Sequence, residues 1–113
     1  MHEMSLAENI LHLIETSAER EQAQRVKLIV LEIGRLASVE TDALSFCFES
    51  VAAGSIAEGA RLEIIDVAGA GRCQACATTM AMDALYGSCP NCGSYQLEVT
   101  AGRDMRVREI EIE

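Results

Sequence analysis

The sequence predicts an α+β fold: two helices on a three-stranded sheet, with a small cysteine-rich module inserted into the chain. Three observations carry this expectation. Apolar residues recur at helical spacing twice, in residues 5–21 and 39–53. Three short runs, 26–33, 61–67 and 105–113, have the length and β-branched or alternating character of strands. Between the last two runs lies a stretch of different composition, 69–102, which holds four of the five cysteines. The chain of 113 residues suits one modest domain with an appendage, and it is half apolar, enough for a core. With two Phe, two Tyr and no Trp, that core must be built mainly of Leu, Ile, Val and Ala.

The first helix is expected to start at Ser5-Leu6-Ala7-Glu8, which reads as a capping box: Ser5 accepts from the Glu8 amide and Glu8 reaches back. Leu6, Ile10, Leu13, Ile14 and Ser17 would form its inner face. VKLIVLEI (26–33) is apolar on both faces, as a strand covered on both sides should be. Gly34 ends it. Ser38 is the expected cap of the second helix, which turns Leu44, Cys47, Phe48 and Val51 inward and stops at Gly54. Cys47 on that face reads as a small core residue. RLEIIDV (61–67) and MRVREIEIE (105–113) supply the other strands, the latter with a slip in alternation at Arg108 and Glu109 that reads as a bulge.

The stretch 69–102 begins and ends with Gly-Ala-rich hinges, AGAGR and TAGR. It reads as a second module, against a body made of 1–68 plus 103–113. Within it, Cys73-Gln74-Ala75-Cys76 is followed after twelve residues by Cys89-Pro90-Asn91-Cys92-Gly93. Two CxxC turns at such spacing form a zinc ribbon: each turn aims two sulfurs at one point, and two turns complete a tetrahedron. Pro90 presets one φ, and Gly93 permits the positive φ that points amides at sulfur. The first turn has neither residue and is the less ideal of the two. Four thiolates leave no open position, so this zinc is structural. The module has few large apolar residues, so metal binding would supply its folding free energy. Met80 and Met82 read as gap-fillers. Two disulfides or a redox-active CxxC are the competing readings. An odd cysteine count with no visible export signal argues against the first, and neither CxxC opens a helix after a strand, which argues against the second.

At the other end stands MHEMS. Met1 offers an amine; His2 offers a main-chain nitrogen and Nδ1. Together they close a five- and a six-membered ring about one ion, flat nitrogen coordination that suits Ni²⁺ or Cu²⁺ and not tetrahedral Zn²⁺. The fourth donor would be the Glu3 amide, water or a partner's group. Such an incomplete site releases its ion readily, as a carrier requires. His12, the only other histidine, reads as an ordinary helical surface residue.

MHEMS at the start, a helix–strand–helix–strand body and an inserted CxxC-x₁₂-CPNCG module together resemble the HypA/HybF family of hydrogenase maturation nickel chaperones, over essentially the whole length. The resemblance implies Ni²⁺ as transported cargo, bound through the amino terminus with His2 central and Met1 and Glu3 beside it. It implies structural zinc on Cys73, Cys76, Cys89 and Cys92. It also implies two partners, a maturation GTPase and the large subunit of [NiFe]-hydrogenase. Some members carry histidines flanking the zinc cysteines; this chain has none.

The formal charge of -9, deepened by two on forming a zinc tetrathiolate, argues against nucleic acid as a partner. No apolar run approaches the roughly 18 residues of a membrane span. Acidic first turns with no Lys or Arg are the reverse of a secretory signal. A cytoplasmic protein is therefore expected. No P-loop, dinucleotide fingerprint or nucleophile–base pair is present, so the chain reads as a carrier and not an enzyme. A zinc-ribbon adaptor with an inert terminus is the alternative. Hinged inserts and a detached final strand also allow a homodimer by strand exchange.

Overall fold

The computed structural model describes residues 2–113. The elements, in order, are α1 (His2–Arg20), β1 (Val26–Gly34), α2 (Thr41–Ala52), β2 (Arg61–Val67), β3 (Ala70–Cys73), β4 (Thr79–Ala81), β5 (Leu97–Ala101) and β6 (Met105–Ile112). They form two three-stranded sheets, ordered β2-β1-β6 and β4-β3-β5. The expected α+β class, with two helices, a three-stranded sheet and a small cysteine module, is what the chain adopts. No helix among the described residues is long and apolar enough to cross a membrane.

The chain divides into two compact units. One comprises Met1–Leu31, Val39–Ile64 and Val107–Glu113; the other comprises Glu32–Ser38 and Ile65–Arg106.

In the first unit α1 packs on α2. Ala7, Ile10, Ile14 and Ala18 are buried at spacings of three and four, the inner stripe of a 3.6-residue helix. Leu44, Cys47, Phe48 and Ala52 face inward from α2. Ile29 and Leu31 of the central strand β1 are fully covered. Each such Ile or Leu contributes about 1.5–3 kcal/mol by leaving water. The inner stripe of α1 is rotated from the expected one: Ala7 and Ala18 belong to it, while Leu13 is 58% exposed. Small alanines give closer helix approach than leucines, and the sequence pattern underrates them.

Two expected caps are corrected. Helix α1 begins at His2, so Ser5 lies inside it and caps nothing. Residues 2–4 include no helix breaker, and Glu3 suits the positive end of the helix dipole. Ser38 sits at φ +58°, a left-handed turn residue. The residue before α2 is Glu40, whose own side chain makes no cap. Its amide donates to Glu3 Oε2 at 3.3 Å. The cap at the start of α2 therefore comes from another helix, a supply that local sequence motifs do not encode. Gly54, at φ +79°, ends α2 as expected.

In the second unit the glycine-rich ends of the cysteine module are tightly stitched, not loose hinges. Leu36 N donates to Gly102 O at 2.7 Å, Gly34 N to Asp104 O at 2.9 Å and Met82 N to Gly69 O at 3.0 Å. A Cβ on Gly34 would overlap the Gly102 carbonyl; one on Gly102 would lie 2.6 Å from Gly69 Cα. Glycine is there because three backbones touch. Gly102 also holds φ +82°, so Gly102→Ala adds left-handed strain to a clash. It is expected to cost about 3 kcal/mol, read as a lower midpoint in urea unfolding. Met82 fills space against Gly71 and is 5% exposed, the gap-filling role expected of it.

Candidate metal centres

Among the described residues, one group of side chains is arranged to hold a metal ion: Cys73, Cys76, Cys89 and Cys92, all within 4.8 Å of one another at their sulfurs. Strand β3 delivers Cys73 at its end, and a turn delivers Cys76. β3 is central in its sheet, with Arg72 opposite Thr79 of β4 and Cys73 opposite Leu97 of β5. The two CxxC turns are near-copies. Ala77 N donates to Cys73 O and Gly93 N to Cys89 O, both at 2.9 Å. Cys73 N donates to Thr78 O at 2.8 Å, and Cys89 N to Ser94 O at 2.7 Å. Ala75 N reaches the Cys73 sulfur and Asn91 N the Cys89 sulfur, each at 3.4 Å. Each turn thus points amides at the sulfur it carries.

The sulfurs of Cys73 and Cys92 are 3.6 Å apart, and those of Cys76 and Cys89 are 3.7 Å apart. A tetrahedron with metal–sulfur bonds of 2.3 Å has edges of about 3.8 Å. A disulfide needs about 2.05 Å, and all five cysteines are free thiols. Cys73 and Cys89 are buried, while Cys76 and Cys92 face outward. The donor set fits one tetrahedral dication.

Electrostatics favours the same occupant. Hydrogen bonds from the Thr78 hydroxyl, then the Asn91 amide, hold the Cys76 thiol down at about 5. The Ser94 amide favours the Cys92 thiolate, but Cys73, burial, Cys76 and Cys89 outweigh it and push Cys92 up to about 12. Four anionic sulfurs this close cannot all ionise without a cation among them. Sequence reasoning did not single out Thr78 and Asn91. Their places, two residues past one knuckle and inside the other, were the available signal.

The first turn reaches its geometry at a cost. Ala77 takes φ +67°, where its counterpart Gly93 takes +77°. Alanine pays for that left-handed backbone and glycine does not. Ala77→Gly is expected to stabilise the metal-loaded module by about 1 kcal/mol, measured by thermal unfolding against the parent.

The expected amino-terminal nickel ligands are Met1, His2 and Glu3. Met1 lies outside the described residues. His2 opens α1, with its imidazole 56% exposed and Nδ1 3.8 Å from Glu3 Oε2. The Glu3 carboxyl is only 13% exposed. The Glu40 amide, then Glu3's own amide, hold it below the usual glutamate range, with His2 adding to the effect. Main-chain amides in the first turn of a helix have no partner within the helix, so those of His2 and Glu3 are not committed to its ladder. His12 is exposed on α1, where its carbonyl accepts from the Thr16 hydroxyl. Cys47 is buried in α2, away from any role in a cluster.

Comparison with known proteins places this arrangement in context. Residues 1–112 match the profile of a family described as HypA, a metallochaperone for nickel incorporation into hydrogenase and urease. The hydrogenase maturation factor HypA of Dechloromonas aromatica (strain RCB) is 65% identical over all 113 residues of both chains. The protein of that description from Azotobacter vinelandii is 49% identical over the same full span. The solution structure of the Ni metallochaperone HypA from Helicobacter pylori superposes with a TM-score of 0.73 at 28% identity. It covers 97% of this chain and 96% of that one.

Proposed function

The chain belongs to the HypA family of hydrogenase maturation nickel metallochaperones, a carrier family and not an enzyme family, and from that premise we propose that its amino terminus is the cargo grip. The Met1 amine, the His2 amide nitrogen and His2 Nδ1 would bind Ni²⁺, with Glu3 beside them. The observation that carries this reading is the placement of His2: an exposed imidazole on the first turn of an ordered helix, where main-chain nitrogens stand outside the helical ladder. A bare dication at the positive end of a helix is repelled. The amide proton released from His2 on binding removes one unit of that charge, and a second release, from the Glu3 amide as fourth donor, would leave a neutral complex that the helix end tolerates. Acid opposes such binding, because protons compete for every donor.

The cysteine cluster serves another purpose. Its closed tetrahedron suits Zn²⁺, whereas Ni²⁺ prefers a flat nitrogen set. Zinc there would fold the module that presents the chain to its partners. Those partners are a maturation GTPase, which supplies the energy input this chain has no motif for, and the large subunit of [NiFe]-hydrogenase in the cytoplasm. Absorption spectroscopy of the untagged, zinc-loaded protein with one equivalent of Ni²⁺ tests the reading. The expected spectrum is that of a flat, nitrogen-ligated ion; a sulfur-to-nickel charge-transfer band would place the cargo on the cysteines and overturn it.

A further inference from the structure

The two CxxC turns match position for position: Cys73 with Cys89, Ala75 with Asn91, Cys76 with Cys92 and Thr78 with Ser94. Their main-chain hydrogen bonds match too. The Thr78 amide donates to the Cys76 sulfur as the Ser94 amide does to the Cys92 sulfur. Cys76 and Cys92 both face outward, while Cys73 and Cys89 are buried. Accessibility therefore singles out two sulfurs of the four and leaves those two equal.

Side chains break the tie. The Thr78 hydroxyl lies 3.2 Å from the Cys76 sulfur, and Asn91 Nδ2 donates to the same sulfur at 3.5 Å. Asn91 belongs to the second turn and reaches across to the first. Its counterpart Ala75 is exposed and has no polar side-chain atom to send back toward Cys92. Ser94, the counterpart of Thr78, has its hydroxyl oxygen accepting from the Gln96 amide at 3.1 Å. Among the described residues, only cysteine side chains approach the Cys92 sulfur, with that of Cys73 at 3.6 Å. Cys76 thus keeps two side-chain donors and Cys92 keeps none. A hydrogen bond given to a thiolate draws charge out of the sulfur, and it must be surrendered when that sulfur forms a new bond. Of two thiolates held by one cation, the one with fewer donors is the better nucleophile.

We propose that Cys92 is the reactive sulfur of the cluster: in the metal-loaded module a soft electrophile takes Cys92 first, while Asn91 and Thr78 shield Cys76. In that step the Cys92 thiolate attacks the electrophilic carbon of a reagent such as iodoacetamide. A sulfur–carbon bond forms, the carbon–iodine bond breaks, and iodide leaves with the electron pair. The product is an uncharged thioether, which gives a dication far less than a thiolate does. Three thiolates remain, and the module is held together more weakly. Covalent modification therefore unlocks the module at one defined place. Cys92 has this role only with zinc on the four sulfurs, which is part of the function proposed for this chain, so zinc content is measured before each reaction and passes or fails on its own.

Limiting iodoacetamide on the full-length, zinc-loaded protein tests this. Cleavage at arginine leaves all four cluster cysteines in the peptide 73–103, whose fragmentation spectrum locates the label. Buried Cys47 falls in a different peptide. Label is expected on Cys92 over Cys76 by about tenfold or more, with zinc passing to a chelating dye at the rate of Cys92 modification. Asn91→Ala is expected to raise Cys76 labelling about tenfold and to leave that of Cys92 unchanged. Ala75→Asn supplies the missing amide at the matching, exposed position and should slow Cys92 several-fold. Equal labelling of the two outward sulfurs in the parent overturns the proposal, as does a preference for Cys76. So does an Asn91→Ala protein that holds zinc with its Cys76 rate unchanged. Should that variant fail to hold zinc, Ala75→Asn decides, and undiminished Cys92 reactivity there overturns the proposal as well.

Discussion

Replacing His2 by alanine, or adding a few residues ahead of Met1, is expected to abolish tight nickel binding while leaving the four-sulfur metal and the helices in place. The two changes remove different donors. Substitution deletes the imidazole, and extension turns the terminal amine into an amide. Changing even an outer partner of a metal ligand costs about 10–100-fold in affinity, so losing a ligand should cost more than about a hundredfold. The fold has no reason to respond. His2 is exposed and takes no part in the core, which is built from Ala7, Ile10, Ile14 and Ala18 on that helix. Titration calorimetry with Ni²⁺, zinc content and far-ultraviolet circular dichroism separate the three effects. Unchanged nickel affinity in both variants would instead favour a zinc-ribbon adaptor with an inert terminus.

The second large effect concerns Cys73. Its sulfur is fully buried and it joins β3 to the first knuckle. Cys73→Ala is expected to unfold the cysteine module, because the metal supplies what its sparse apolar content cannot. Apparent binding free energies of structural zinc run to about 10–16 kcal/mol, and most of that is lost with one thiolate of four. Amide resonances of β3, β4 and β5 should collapse toward random-coil positions, and zinc content should fall. A strong chelator should do the same to the parent. Native β3–β5 resonances in the variant would mean that the stitched glycine backbones, not the metal, hold this sheet. Zinc uptake by the metal-free protein at neutral pH should also release protons, the one on Cys92 among them, and a pH indicator dye will count them.

The parts of this fold that local pattern determines were legible in the sequence. β1 is apolar on both faces because it is the central strand, and VKLIVLEI says so. The cysteine cluster follows from spacing alone, since two CxxC turns have few other ways to satisfy four sulfurs. Legibility stops where one segment supplies what another lacks. No local rule announces that Glu3 caps α2, or that Gly34, Gly69 and Gly102 are close-packing residues and not hinge residues. Ser5 and Ser38 have the chemistry of caps but not the places. Leu13 fits a helical stripe and yet faces solvent, because alanines let the helices approach on a neighbouring line. The proposed amino-terminal grip lies between these cases. Its donors are plain in MHEMS, but the meaning of the arrangement depends on a helix that starts at His2.

The tie from Glu3 to the Glu40 amide makes the start of α2 a built-in indicator. That carboxylate binds while ionised, so the tie is complete above the ordinary glutamate value and fades as pH falls through the lower value it has in the fold. Glu3→Gln should quicken hydrogen–deuterium exchange at Glu40 without acid. If cargo draws the carboxylate away, that single amide will also exchange faster on loading, so that one solvent-exchange rate distinguishes a laden courier from an empty one.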